Sequence, residues 1–267
     1  MKIELLIIDP QNDFCDPASG SLYVTNAESD MKRLSYLIIR LNKKISQIHI
    51  TLDSHHKNDL AHPSFWINSN GKHPDPMITN ITEDDMKNGV WKPVNPALFN
   101  RMFNYVKELK RTGRYDLTVW VPHCIINTPG ACINSNILKA IDVWCGETRY
   151  VDYVTKGSNP LTEHYSAVKA EVPDPQDPTT QLNMPLLETL QKADEILIAG
   201  EALSHCVANT VRDIANNFGE ENIKKLVLLE DASSPVGLPV FKQMADDFVN
   251  EMIGRGMRIS TTDKYMI

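Results

Sequence analysis

Apolar positions along this chain alternate between two patterns. Short, nearly unbroken apolar runs cover residues 4–9, 47–52, 151–155, 195–199 and 226–231. Runs of that length, rich in Ile, Val and Leu, are the signature of strands buried on both faces. Between them, apolar residues recur every three or four positions over 28–45, 97–111, 184–192, 206–218 and 239–253, as the buried stripe of a helix does. Strand and helix in alternation predict an α/β protein: a mainly parallel central sheet covered on both faces, hence three αβα layers. The pattern fades from 67 to 116, where Asn, Gly, Pro and charge dominate. That stretch reads as an enlarged loop or lid with one helix, too poor in apolar residues for a core of its own, so 1–267 is expected to be one domain.

Composition narrows the function classes. The chain has 267 residues and a net charge of −7, without a basic run, which argues against nucleic acid as a partner. No apolar stretch reaches the length of a membrane span, and the chain enters its first strand at once, without a signal-peptide pattern. Five cysteines, with no C-x-x-C pair, read as reduced thiols in a cytoplasmic protein.

Polar residues gather where the strands end, the place at which open parallel sheets bind ligands. Asp9 closes the first run. Asp53 and His55 close the second, two apart and so on one face of extended chain, a pairing suited to a divalent cation; His62 follows as a further ligand or a hydrogen-bonding residue. His123 lies in a turn-rich loop and Lys156 ends the third run. The fourth run stops at Gly200, and Cys206 then opens a helical pattern, where unpaired N–H groups and the helix dipole are expected to lower a thiol's pKa. Taken singly, each has a bland alternative: a turn aspartate, a solvated loop pair, a surface lysine, a buried structural cysteine.

Together these residues resemble the isochorismatase-like cysteine hydrolases, and among them the nicotinamidases. Asp9-Pro10-Gln11-Asn12-Asp13-Phe14 resembles the opening D-x-Q-x-D-F of that family. Asp53-Ser54-His55 is similar to its D-x-H element, and His62-Pro63-Ser64-Phe65 to its H-x-S-F. Trp120-Val121-Pro122-His123-Cys124 with Thr128-Pro129-Gly130-Ala131 resembles W-P-x-H-C…T-P-G-A. Lys156-Gly157 with Tyr165-Ser166-Ala167, and Gly200-Glu201-Ala202…Cys206-Val207, complete the order. The resemblance implies an isochorismatase-like fold, a catalytic triad of Asp9, Lys156 and Cys206, and an oxyanion hole from the backbone of Ala202 and Cys206. It also implies a cis peptide at Glu201-Ala202 and substrate contacts from Phe14, Trp120 and Tyr165. One divalent metal ion on Asp53, His55 and His123 is implied too, zinc first, with manganese or iron compatible. The implied reaction is hydrolysis of nicotinamide to nicotinate and ammonia through a thioester, with a small-molecule amide as the partner and a homo-oligomer within the family's range.

Two departures bear on the pocket rather than the chemistry: the long segment before His123, and Val121 between Trp120 and Pro122. They leave hydrolysis of another small amide or ureide as an alternative. A non-catalytic binding protein on the same fold would need none of the triad residues. A two-histidine, one-carboxylate iron oxygenase would leave Cys206 and Lys156 without a role.

Overall fold

The computed structural model describes residues 1–112 and 115–266, so Gly113, Arg114 and Ile267 lie outside the described residues. Six parallel strands form the central sheet: β1 (Ile3–Ile8), β2 (Ile45–Asp53), β3 (Asp152–Lys156), β4 (Glu195–Gly200), β5 (Leu226–Leu229) and β6 (Arg258–Ser260). Their spatial order is β3-β2-β1-β4-β5-β6. This is the doubly wound arrangement, in which the order reverses beside β1 and opens a crevice at the carboxyl ends of β1 and β4. Every residue of β1 is buried, as a strand covered on both faces requires.

The described residues form six longer helices, α1 (Ala27–Arg40), α2 (Phe99–Thr112), α3 (Ser135–Cys145), α4 (Met184–Gln191), α5 (Ala208–Phe218) and α6 (Pro239–Gly254), of which all but α2 cover the sheet. α1 packs on α3, while α5 packs on both α4 and α6, which gives the two helical layers. α1 is shorter than the expected 28–45. It ends at Arg40, and Ile45 instead opens β2, where it pairs with Ile3 and buries its side chain in the sheet. Helix α3 and strand β6 were not anticipated, although Ile137, Ala140, Ile141 and Trp144 of α3 do fall at helical spacing.

The 67–116 segment is more ordered than a loop. Two antiparallel ribbons, Trp66–Ile67 with Lys92–Pro93 and Asn80–Ile81 with Leu117–Thr118, frame a short helix at Glu83–Lys87 and then α2. Thr82 and Asp85 close a reciprocal capping box on the short helix. The expectation that this segment lacks a core is corrected: Ile81, Met86, Met102, Tyr105, Val106 and Leu109 form a second apolar cluster. Flanking residues complete it, namely Leu60, Phe65, Trp66, Leu117 and Val119. A low apolar count suffices because the segment places those residues on one face and borrows the rest.

One face of the sheet carries a polar cluster at the end opposite the crevice. Glu4, fully buried, meets Lys2 at 2.5 Å and His49 Nε2 at 3.1 Å, while His49 Nδ1 meets Asp152 at 2.7 Å. Burial opposes the charge on His49, but the two carboxylates outweigh it and hold its pKa above 6.5. Burial likewise opposes the charge on Glu4, yet His49 and Lys2 hold it below 4.5. The stabilisation from Glu4 is therefore present above pH 4.5 and lost as pH falls through its depressed value. That from His49 is present below pH 6.5 and lost as pH rises through its raised value. Replacing His49 with Gln should destabilise the protein more at about pH 5.5 than at about pH 9, read as unfolding free energy in denaturant. An equal loss at both values would show that the imidazole is uncharged in the fold.

Candidate active site and metal centre

Four strand ends converge at the crevice. β1 delivers Asp9, whose backbone adopts a left-handed φ of 45° closed by Gln11 N–H on Asp9 O at 2.8 Å. Thr51, on β2, accepts from the Asp9 N–H at 3.0 Å, and its hydroxyl donates to Asp9 Oδ1. The β2–β3 register sets Asp53 directly beside Lys156. β4 ends at Gly200, where φ is 115° and a Cβ would lie 2.0 Å from Ile8 O, so only glycine fits. The Glu201-Ala202 peptide that follows is cis. Residues Leu203–Val207 then form one wide helical turn, with Val207 N–H on Ala202 O at 3.2 Å, before α5 begins. Cys206 thus sits inside a π-type turn ahead of the α-helix and not at the helix start expected from its pattern.

These elements bring Asp9, Lys156 and Cys206 into one contact set. Lys156 Nζ lies 2.9 Å from Asp9 Oδ2, 3.1 Å from Asp53 Oδ1 and 3.5 Å from Cys206 Sγ. Burial works against the Lys156 ammonium, but the Asp53 and Asp9 carboxylates hold its pKa far above the usual range. For Asp53 the same burial is outweighed by His55 and Lys156, which keep it ionised. Asp9 is pushed up by burial, against the pull of Lys156. The Cys206 thiol is also pushed up, by burial first and then by Asp9 and Asp53, with only Lys156 pulling it down. The expected lowering is therefore corrected: burial and the two carboxylates outweigh the pull of Lys156 and favour the thiol form of the resting sulfur.

A nitrogen-rich cluster adjoins this set. His55, His62 and His123, all buried, offer ring nitrogens within 4.8 Å of one another. Asp53 Oδ2 lies 3.2 Å from His55 Nε2 and 3.5 Å from His123 Nε2. Neither nitrogen of His62 has a hydrogen-bond partner among the described residues, and burial, with His55 and His123 nearby, pushes its pKa down to about 3. Of the two roles open to His62 in the sequence, a hydrogen bond is not made. A neutral, orphaned imidazole is the form that ligates metals. The other ring nitrogens of its neighbours are already engaged: His55 Nδ1 with Asp59 at 3.1 Å, His123 Nδ1 with Val121 O at 2.8 Å. Such outer partners orient metal-binding imidazoles. Asp53, His55, His62 and His123 therefore fit a divalent cation.

Cys206, Ala202, Asp53 and His123 open onto a single cavity. Phe14, Trp120, Tyr165 and His205 supply its aromatic walls. Tyr165 also accepts from Trp120 Nε1 at 2.8 Å, which fixes the indole. The 67–116 segment reaches behind these walls. Tyr115 stacks on His205 with ring centroids 5.8 Å apart, and Tyr105 accepts from Glu163 N–H at 3.0 Å.

Several solved structures share this fold with the chain. It matches the yeast nicotinamidase at a TM-score of 0.65 and 20% identity, covering 96% of this chain and 98% of that one. The pyrazinamidase of Pyrococcus horikoshii, solved in complex with zinc, matches at 0.55 and 19%, covering 98% and 99%. An isochorismatase-like hydrolase from Alkaliphilus metalliredigens matches at 0.55 and 14%, covering 100% and 98%. The fold is isochorismatase-like. No family model matches the sequence, and no curated relative matches it either.

On this isochorismatase-like fold, several residues that sequence reasoning passed over hold the site in place. Gln11 pairs with the backbone of Asp53 through both ends of its amide, accepting from N–H at 2.7 Å and donating to the carbonyl at 2.8 Å. Asp13 accepts from Cys124 N–H at 2.6 Å and so fixes the turn after His123. Both belong to the D-x-Q-x-D-F stretch, whose spacing was visible although its wiring was not. Glu163 and His205 also line the cavity: burial raises Glu163 to about 7, so that it titrates around neutral pH, and lowers His205 to about 3, which keeps the imidazole neutral. For the metal cluster, His62→Ala should weaken zinc binding by at least about tenfold. Competition against a chromophoric chelator measures this, and unchanged affinity would remove His62 from the donor set.

Proposed function

We propose that this protein is a cysteine amidohydrolase acting on a small aromatic carboxamide, with nicotinamide as the substrate and zinc as the metal. The observation that carries the reading is the Cys206–Lys156–Asp9 contact set opening onto the same aromatic-walled cavity as the Asp53–histidine cluster. The nicotinamidase and pyrazinamidase neighbours, one of them solved with zinc, support the substrate and metal.

Asp9 takes the thiol proton as Cys206 Sγ attacks the carboxamide carbon, with Lys156 compensating the charge that develops on sulfur. The carbonyl oxygen becomes an oxyanion, for which the backbone N–H groups of Ala202 and Cys206 are the donors. The intermediate collapses with cleavage of the C–N bond, and Asp9 returns its proton to the departing amine, which leaves as ammonia. Water then attacks the thioester, Asp9 accepts its proton, and the carboxylic acid departs as the thiol re-forms. Phe14 and Trp120 hold the ring, Tyr165 holding Trp120 in turn. Asp53, His55, His62 and His123 would hold the ion, whose Lewis acidity orients an electron-pair donor on the substrate ring.

Cys206→Ala should abolish ammonia release from nicotinamide and leave Tm within the usual range of a small core change; retained turnover would overturn covalent catalysis. Trp120→Ala should raise KM roughly 2- to 12-fold, the equivalent of losing one aromatic contact. If ammonia comes only from aliphatic amides or ureides in a panel with nicotinamide and pyrazinamide, the substrate assignment falls while the mechanism stands.

A further inference from the structure

The loop that carries Cys206 is anchored by a carboxyl pair that takes no part in the chemistry above. Glu201 is fully buried and does not line the substrate cavity, whereas its neighbour Ala202 does. Glu201 Oε2 accepts from Ser234 N–H at 3.1 Å. Glu201 Oε1 finds no donor among the described residues, and the carboxyl of Asp30, from the first turn of α1, meets Glu201 on Ser234, whose N–H and hydroxyl the two side chains share. Asp30 is itself committed elsewhere, with Oδ1 to Arg33 and Oδ2 accepting from the Ser234 hydroxyl at 2.6 Å. Two buried carboxyl groups in contact need one proton between them. Asp30 has the guanidinium and the hydroxyl, and Glu201 has neither, so the proton resides on Glu201.

Residues 233–236 grip the same loop at three further points. Ser233 donates to Gly200 O at 2.6 Å, Ser234 O accepts from Leu203 N–H at 2.8 Å, and Ser204 Oγ accepts from Val236 N–H at 3.2 Å. Glu201 and Asp30 tie that clamp to α1. The charged and titratable groups around the pair are few. Among the described residues they are Arg33 on α1, Asp231 beyond β5 at 3.9 Å from Arg33, the Cys15 thiol on the 12–15 turn, and Asp9, which acts on that same thiol.

We propose that Glu201, as a neutral carboxylic acid sharing its proton with Asp30, is a positioning residue that holds the Ala202–Cys206 loop for acyl transfer. The positioning role rests on the reading of Cys206 as the nucleophile; the shared proton does not. Glu201 acts through the backbone it fixes and touches no substrate. Burial and then Asp30 raise its pKa, so folded protein holds a proton that unfolded chain releases above pH 4.5. Stability contributed by this group is present below that value and declines as pH rises towards the folded pKa.

The test compares wild type with Glu201→Gln and Glu201→Leu. Gln keeps an N–H donor for Asp30 and a carbonyl acceptor for Ser234, without a proton to lose. Its Tm relative to wild type should climb as pH goes from about 5 to about 8, and its kcat should stay within about threefold of wild type. Leu leaves Ser234 N–H and Asp30 each short of a partner, so kcat on nicotinamide should fall roughly tenfold or more with KM little changed. The alkylation rate of Cys206, read at its own peptide, should also shift in Glu201→Leu and not in Glu201→Gln. A Tm difference between Gln and wild type that is flat in pH would overturn the shared proton. Wild-type kcat and wild-type alkylation in the Leu variant would overturn the positioning role. Should wild type cleave no amide at all, the amidohydrolase reading fails, and the Tm series and the alkylation rates still decide the inference.

Discussion

A buried ammonium organises this molecule. Lys156 is fully enclosed, and an unpaired charge at such a depth would cost several kcal/mol. Asp9 at 2.9 Å and Asp53 at 3.1 Å are what keep it charged, and each is itself kept ionisable by Lys156. The three come from three adjacent strands, β1, β2 and β3, so the sheet register and the ion cluster impose one another. Two carboxylates against one ammonium leave the cluster one charge negative. Such a setting would stabilise a dication on Asp53 and the three imidazoles, and it favours the protonated form of a neighbouring thiol.

This dependence separates what each residue contributes to folding from what it contributes to chemistry. Removing Lys156 would strand two buried carboxylates, so loss of activity in such a variant would carry loss of stability with it. Cys206 differs. Its sulfur is a small buried group at 3.5 Å from the ammonium, and among the described residues no ion pair depends on it. In the proposed chemistry, Cys206 is therefore the member of the set whose deletion reports on catalysis with little else changed.

The strand-end residues were legible because a parallel sheet has a fixed grammar: an apolar run that stops at Asp, Lys or Gly places that residue at the crevice. Asp9, Asp53, Lys156 and Gly200 all lie where that rule puts them. Less legible was whatever depends on side chains meeting across loops. Nothing in the spacing of Gln11 announces that its amide pairs with the Asp53 backbone, or that Asp59 would orient His55. The 67–116 segment misled for a related reason. Its apolar count is low, and the core it builds draws on Leu60, Trp66 and Leu117, which lie outside it. The sign of the Cys206 shift misled too, since a local rule about helix starts says nothing of how deeply the sulfur is buried.

Three acids around the Cys206 loop hold a proton with different firmness, and environment alone distinguishes them. Asp53 is held ionised because two cationic groups offset its burial. Asp9 is raised, because Lys156 compensates its burial only in part, and a carboxylate poised in that way suits a group that must accept and return a proton within one cycle. Glu201 has no cation of its own and an anionic neighbour, so it remains an acid. The placement of one ammonium, one imidazole and one guanidinium thus gives three chemically similar side chains the states that a metal ligand, a proton carrier and a structural donor would need in the proposed function. Charge placement, more than residue type, divides the labour of this site.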